Sequence, residues 1–446
     1  MLNGRAAHWL DALRTQLWPL PVVAVAGAVA LGVALPALDS GIDGQLPDTV
    51  GVLLFSGGAE AARAVLQAIA GSLITVTSLT FSLTVVTLQL ASSQFSPRLL
   101  RTFTADRFVH GTLALFLAAF AFALTVLRSV RGETSGNTAF VPEISVTVAF
   151  ALAIASVVGL VLFLAHLTRE IRVETMMRRV DGETRDTIDR VFPKDRPLPG
   201  TPPVPLPGGF PITATSSGFL TSLDKDALLA AAVNSRATVR IDREPGSSLV
   251  EGVPFATAWP LETGAGLGPE AREELCRDVN AAVSTGFERT SVQDVGFGFR
   301  QLVDVAARAL SPGINDPTTA VHVLGHLSSL LCRLVERNPG PELLSDDDGR
   351  VRVVLSFPGL PALMDLAVNQ ARNYGAGDPD VARRLLDLLR EVAFCDACGQ
   401  YRDVVRDHLD RMRTAIAAAD YSAPERRRLL ELAQACAADV EAAPEM

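Results

Sequence analysis

Four charge-free stretches near the start of the chain decide what it can fold into: Thr15–Leu38, Ala64–Pro97, Phe108–Leu127 and Ile144–Thr168. Each reaches the roughly 20 apolar residues needed to cross a bilayer. In hydrocarbon the backbone must satisfy its own hydrogen bonds, so stretches of this length are expected to be helices. The first is too long for a signal-peptide core and three more follow it, so it is expected to stay as an anchor. Residues 169–446 hold most of the charge. For 446 residues, a hydrophobic share of 48% is too high for one soluble body. Two regions in different solvents are the simplest reading.

Orientation follows from arginine, because Lys194 and Lys225 are the only lysines. Arg5 and Arg14 precede the first span, Arg98, Arg101 and Arg107 lie between the second and third, and six arginines from Arg169 to Arg190 follow the fourth. The other two connections carry Arg63, Arg128 and Arg131 among several carboxylates. The arginine-rich side should be cytoplasmic, which puts both termini inside and the protein in a bacterial inner membrane as a multi-pass chain. The cysteines, Cys276, Cys332, Cys395, Cys398 and Cys436, all lie in the polar half, and their odd number fits a reducing compartment better than a disulfide framework. A net charge of −9 with no basic block argues against a nucleic-acid partner.

The second span is unusual for a lipid-facing helix. Residues 71–94 read GSLITVTSLTFSLTVVTLQLASSQ. At 100° per residue its hydroxyls form two stripes. Thr77, Thr80, Thr84 and Thr87 form one, with Gln94 near its lower end; Thr75, Ser78, Ser82, Gln89 and Ser93 form another, roughly opposite. Lipid rewards neither. One reading is helix packing, in which hydroxyls bond across interfaces or back to their own carbonyls. The other is that one stripe packs and the other lines a water-filled path; on this reading the threonine stripe is chosen as the pore side. At about 1.5 Å per residue the 34-residue stretch is about 50 Å long, so the helix should tilt or protrude. Pro97 should end it, with Arg98 and Arg101 at the inner surface, either as headgroup anchors or as an anion-favouring mouth. No acidic or basic residue lies inside a span, which weighs against a proton-driven carrier.

The polar half begins with a charged helix over 169–192. A stretch with eight prolines over 193–211 reads as a stiff linker and domain boundary. Residues 212–260 alternate around Pro245-Gly246 and Glu251-Gly252 and predict a small β unit, similar in outline to the half-barrels of biotinyl and lipoyl carriers but lacking their modifiable lysine. Residues 268–446 read as helical, with one helix capped at Ser291 and another opened by Asp316 and Pro317.

Two polar motifs stand out, ERTSVQD and ALSPGINDPTTA. Arg289, Asp294, Asn315 and Asp316 either converge on a small ion or anionic ligand, or cap helices and tie loops together. His322 and His326 share one helix face, but no third metal ligand is indicated. Cys395 and Cys398 form a single CxxC without a second, and partly buried thiols are the simpler reading. No phosphate loop, nucleophile elbow or zinc-peptidase motif is present, so no metal, cofactor or enzymatic activity is expected.

Four N-terminal spans, the second ending SSQFSPRLL, are followed by RTSVQDVGFGFRQLVDVAARALSPGINDPTTA. Over about residues 10–435 this resembles a family of predicted bacterial inner-membrane proteins defined by a domain of unknown function. The resemblance implies location and architecture and no catalytic residue. The expectation is an α-helical integral membrane protein with spans at about 15–38, 64–92, 108–128 and 144–168, followed by a cytoplasmic region made of a small β half-barrel-like unit and an α-helical domain. The leading functional expectation is a homo-oligomeric channel for inorganic ions, with lipid and further copies of itself as partners. The alternative is a membrane-anchored cytoplasmic sensor or scaffold without transport.

Overall fold

A computed structural model describes residues 18–42, 54–94, 106–132, 140–170, 172–194, 196, 200–262 and 266–442. The chain forms two compact units, Met1–Thr175 and Met176–Met446.

The first unit holds α1 (Pro19–Ile42), α2 (Ala59–Gln94), α3 (Arg107–Ser129) and α4 (Glu143–Glu170). α3 is the centre: it packs on each of the other three, and 56% of its apolar window is buried against 17% for α1 and for α4. Its alternation of Leu, Phe and Ala fills both sides. Leu66 and Leu73 of α2 meet Phe122 and Val126 of α3 and Ala149 of α4 in one cluster. Small residues let the helices close up. A Cβ on Gly32 of α1 would lie 2.9 Å from Thr125 Cβ of α3. Outward-facing Val23 and Val33 of α1, and Phe150, Val157 and Val161 of α4, form an apolar surface.

The second unit takes most of α5 (Val173–Val191), then β1 (Phe210–Thr213), β2 (Gly218–Leu223), α6 (Lys225–Asn234), β3 (Ala237–Ile241), β4 (Ser248–Leu249) and β5 (Pro254–Pro260). There follow α7 (Pro269–Ala281), β6 (Val283–Gly286), α8 (Val295–Ala309), α9 (Pro317–Val335), β7 (Glu342–Ser345), β8 (Val351–Leu355), α10 (Leu360–Gly375), α11 (Pro379–Cys395), α12 (Arg402–Ala418) and α13 (Ala423–Ala442). One sheet runs β1-β5-β3-β8-β7 and a second β4-β2-β6.

This corrects the half-barrel expectation. The strands of 212–260 divide between two sheets, and β6, β7 and β8 come from the segment expected to be purely helical. The reason lies in β3. Ala237, Thr238, Val239 and Ile241 are all buried, so the strand needs cover on both faces and partners on both edges. β5 supplies one edge antiparallel; β8 supplies the other, parallel, with Val239 opposite Val353. The proline-rich stretch lies within the second unit, where Arg196 donates to the carbonyls of Gly340 and Pro341.

Five helices among the described residues are long and apolar enough to cross a membrane: α1 to α4 and α9. α9 belongs to the second unit, where it packs on α8, α10 and α11 and buries Leu324, Leu327, Leu331 and Leu334.

Candidate functional site

α2 presents two polar faces, and the structure treats them oppositely. Thr77, Thr80, Thr84 and Thr87 are buried on the side that continues the Leu66–Leu73 packing line. Thr77 donates to Leu73 O at 2.7 Å, Thr84 to Thr80 O at 2.8 Å and Thr87 to Leu83 O at 2.8 Å. Such bonds give a hydroxyl a partner inside an apolar interface. Thr80 Oγ1 is buried without a partner among the described residues. The threonine stripe, expected as the pore side, therefore sits in the helix packing of the protomer. The sequence could not choose between the stripes because both recur at helical spacing; only the positions of α3 and α4 separate them.

The opposite face is open. Gly71, Thr75, Ser78, Ser82 and Gln89 are exposed and lie within about 40° of one line on a helix of 3.6 residues per turn. Ile74 and Phe81 flank that line on one side, Leu79 and Val86 on the other, all exposed. Gly71 has no atom within 4 Å of where a Cβ would stand. α2 has 36 residues, about 54 Å at 1.5 Å each, beyond the roughly 30 Å hydrocarbon core. Gln94 is its last residue; its side chain, and Arg98 and Arg101, lie outside the described residues.

Two carboxylates that the sequence reading passed over hold α4 at its ends. Asp39, buried near the end of α1, accepts from Ser145 Oγ at 2.8 Å and from the amides of Ser145 at 3.1 Å and Ile144 at 3.3 Å. It caps α4 from another helix, meeting amides that the first turn cannot satisfy. Near the other end, His166 Nε2 lies 2.6 Å from Asp106 Oδ2, and Asp106 also caps α3. Both carboxylates lie just outside the apolar runs, and nothing in the sequence spacing shows that either reaches α4.

In the second unit, Arg289 makes two bonds to Asp294, Nε to Oδ2 at 2.7 Å and Nη2 to Oδ1 at 3.0 Å. Burial pushes the Asp294 carboxyl up, and Arg289 opposes that only in part. Glu244 is pushed up by burial and by the nearby Asp294. Asp294, not Ser291, is the cap position of α8. Asp316 opens α9 as expected, accepting from Thr319 N at 3.1 Å, with Pro317 in the first turn and Asn315 at φ 49°. The two motifs do not converge: they flank the 15-residue α8, about 22 Å long. Each ties a loop to a helix end.

A third network joins α5 to α9. Arg185 bonds Asp181 and Ser329, each at 2.7 Å, and His326 Nδ1 lies 3.6 Å from Asp181. Asp189 meets Arg333 at 2.8 Å and Arg337 at 2.9 Å. A Cβ on Gly298 of α8 would fall 1.8 Å from Thr184 Oγ1 of α5. No cluster of three or more metal-ligating side chains, around His322 and His326 or elsewhere, occurs among the described residues.

Membrane-length helices joined to a second unit carrying the RTSVQD and SPGINDP motifs match one family model, over residues 14–391. The chain belongs to the predicted membrane protein family DUF2254. Two relatives are uncharacterized proteins of Mycobacterium bovis and Mycobacterium tuberculosis, each 37% identical over 398 residues, covering 88% of this chain and 74% of theirs. No solved structure matches. The DUF2254 match takes in α1 to α10 and most of α11, so it includes both faces of α2 and both networks of the second unit. It establishes a bacterial membrane protein with several transmembrane helices.

Proposed function

We propose that the protein is a homo-oligomeric channel of the bacterial inner membrane, with α1 to α4 as its four spans and both termini cytoplasmic. α9 stays out of the bilayer on this reading, because it is gripped by α8, α10 and α11 and Arg333 near its end is paired with Asp189. The path lies on the symmetry axis between copies. It is lined by Thr75, Ser78, Ser82 and Gln89 of α2, and inorganic ions are the transported class.

One observation carries the reading: a membrane-length helix turns a straight polar line outward while burying its other polar line. Exposed Ser and Gln in hydrocarbon are disfavoured unless they meet another helix or water. A ring of copies supplies both, with the apolar flanks Ile74, Phe81, Leu79 and Val86 packing between neighbours and the polar line facing the axis. The second unit then serves as a vestibule or gate at the inner mouth. The positive-inside distribution of arginine supports the orientation. No catalytic role is proposed.

Native mass spectrometry of the full-length protein, followed by flux in proteoliposomes, tests this. A ring of four or more copies that conducts ions, and that loses flux but not its mass on Ser82→Phe, supports the channel. A monomer or dimer without flux favours the anchored sensor or scaffold. Flux unchanged by Ser82→Phe removes the exposed line from the path.

A further inference from the structure

α9 carries its grip on α5 through His326, Ser329 and Arg333, with Arg337 just beyond its end. It also packs on α11, where Ser328 Oγ donates to Glu391 Oε2. Four residues further along each helix, about one turn, stand Cys332 and Cys395. The two thiols adjoin each other, one turn beyond the Ser328–Glu391 bond on each helix, so the two contacts together set α9 and α11 parallel here. Burial and the adjoining Cys395 push the Cys332 thiol up to about 12. Both are free and partly accessible, and Cys398 is exposed in the turn beyond.

The two thiols sit on different helices, 63 positions apart in the chain. A bond between them would be a tertiary fastening, unlike one between Cys395 and Cys398, which would close only a local turn. Ser328 and Cys332 face α11, while Ser329 and Arg333, the next positions along, face α5. A link at Cys332 thus acts on the helix that also anchors α5.

We propose that Cys332 and Cys395 are a reversible thiol–disulfide site that fastens α9 to α11, oxidised by a low-molecular-weight disulfide. A thiolate at Cys395, the neighbour of the exposed Cys398 turn, attacks one sulfur of the oxidant. This forms a mixed disulfide and releases one thiolate. Cys332 then loses its proton and attacks Cys395 Sγ, expelling the second thiolate. Two electrons pass to the oxidant, two protons leave the protein, and one S–S bond replaces the oxidant's own. The high Cys332 value makes the second step slow at neutral pH and faster as pH rises.

Full-length protein in detergent, incubated with glutathione disulfide, alkylated and digested, gives the test. The expected product is a Cys332–Cys395 linked peptide that disappears on dithiothreitol treatment and forms faster at pH 9 than at pH 7. Cys398→Ser should leave that peptide in place. A Cys395–Cys398 peptide as the main product overturns the proposal. So does glutathione retained on Cys395 or Cys398 without the cross-helix link, or the absence of oxidation at any of the three. The wild-type protein alone decides among these outcomes, so no variant has to fold for the proposal to fail.

Discussion

Asp106 serves two helices with one carboxylate: Oδ1 accepts from Phe108 N at 2.8 Å and Oδ2 meets His166 Nε2 at 2.6 Å. The same aspartate thus starts α3 and holds the end of α4, while the His166 ring lies 4.6 Å from that of Phe108. Replacing Asp106 by Ala removes a helix cap, which costs about 1 kcal/mol, and the His166 contact besides. Asp106→Ala should lower the thermal midpoint in detergent more than His166→Ala does. Equal shifts would mean that the cap contributes little.

Asp39 answers three donors at the start of α4 from a different helix. Asp39→Ala leaves those donors without their acceptor, a loss of about 1–3 kcal/mol. Ser145→Ala removes only one donor and should cost less. Thermal unfolding of the two variants in the same detergent checks the order.

The two faces of α2 respond differently to bulk. Thr80 is wholly buried, and Thr80→Phe overfills a closed interface by about 1–3 kcal/mol or more. Ser82→Phe adds its ring on the open face and should leave the protomer's thermal midpoint within about 0.5 kcal/mol equivalent. A large stability loss in Ser82→Phe would show that this face is closed.

Gly246 stands at φ 89°, and a Cβ there would fall 1.9 Å from Asp294 Oδ2. Gly252 has a similar backbone at φ 78° but open space around it. Both alanine variants carry the backbone strain; only Gly246→Ala also drives into the Arg289–Asp294 pair. Gly246→Ala should be destabilised by about 1–3 kcal/mol beyond Gly252→Ala. Equal loss would mean that the pair shifts aside freely.

Hydrogen bonds from Arg333 hold the Asp189 carboxyl below its ordinary 3.8. Burial raises that of Asp181, but bonds from His326 and Arg185 outweigh it and leave it lowered too. A carboxyl lowered on folding adds stability that is complete above the unfolded value and is lost as pH falls through the folded one. The second unit should therefore lose stability below about pH 3.8, and the Asp189→Asn variant should lose less over that window. Unfolding followed from pH 5 down to pH 2 compares the slopes.

Helix existence was readable because each span repeats one simple demand over 20 residues or more. Asp316 and Pro317 were readable as a helix start because capping is local chemistry. α9 was placed correctly as a helix but gave no sign of its partners. The β strands of 212–260 were visible by alternation, yet their sheet was not. β3 pairs with β8 across more than 100 residues, and pairing at that distance leaves no short-range trace. The cap of α8 fell on Asp294 instead of Ser291 for a similar reason: Arg289 and Gly246 gather around Asp294, and Gly246 is distant in sequence.

The sequence by itself determined the membrane-length helices, the polar second half and two hydroxyl stripes on α2, because periodicity and charge act locally. Tertiary structure alone decided which stripe is shut away and which is open, that Asp39 and Asp106 hold α4 at its two ends, and that Cys332 meets Cys395. Each of those depends on which helix lies alongside. That choice is made by the summed fit of whole helix faces, such as Leu66 and Leu73 against Phe122 and Val126, and no single position along the chain encodes it.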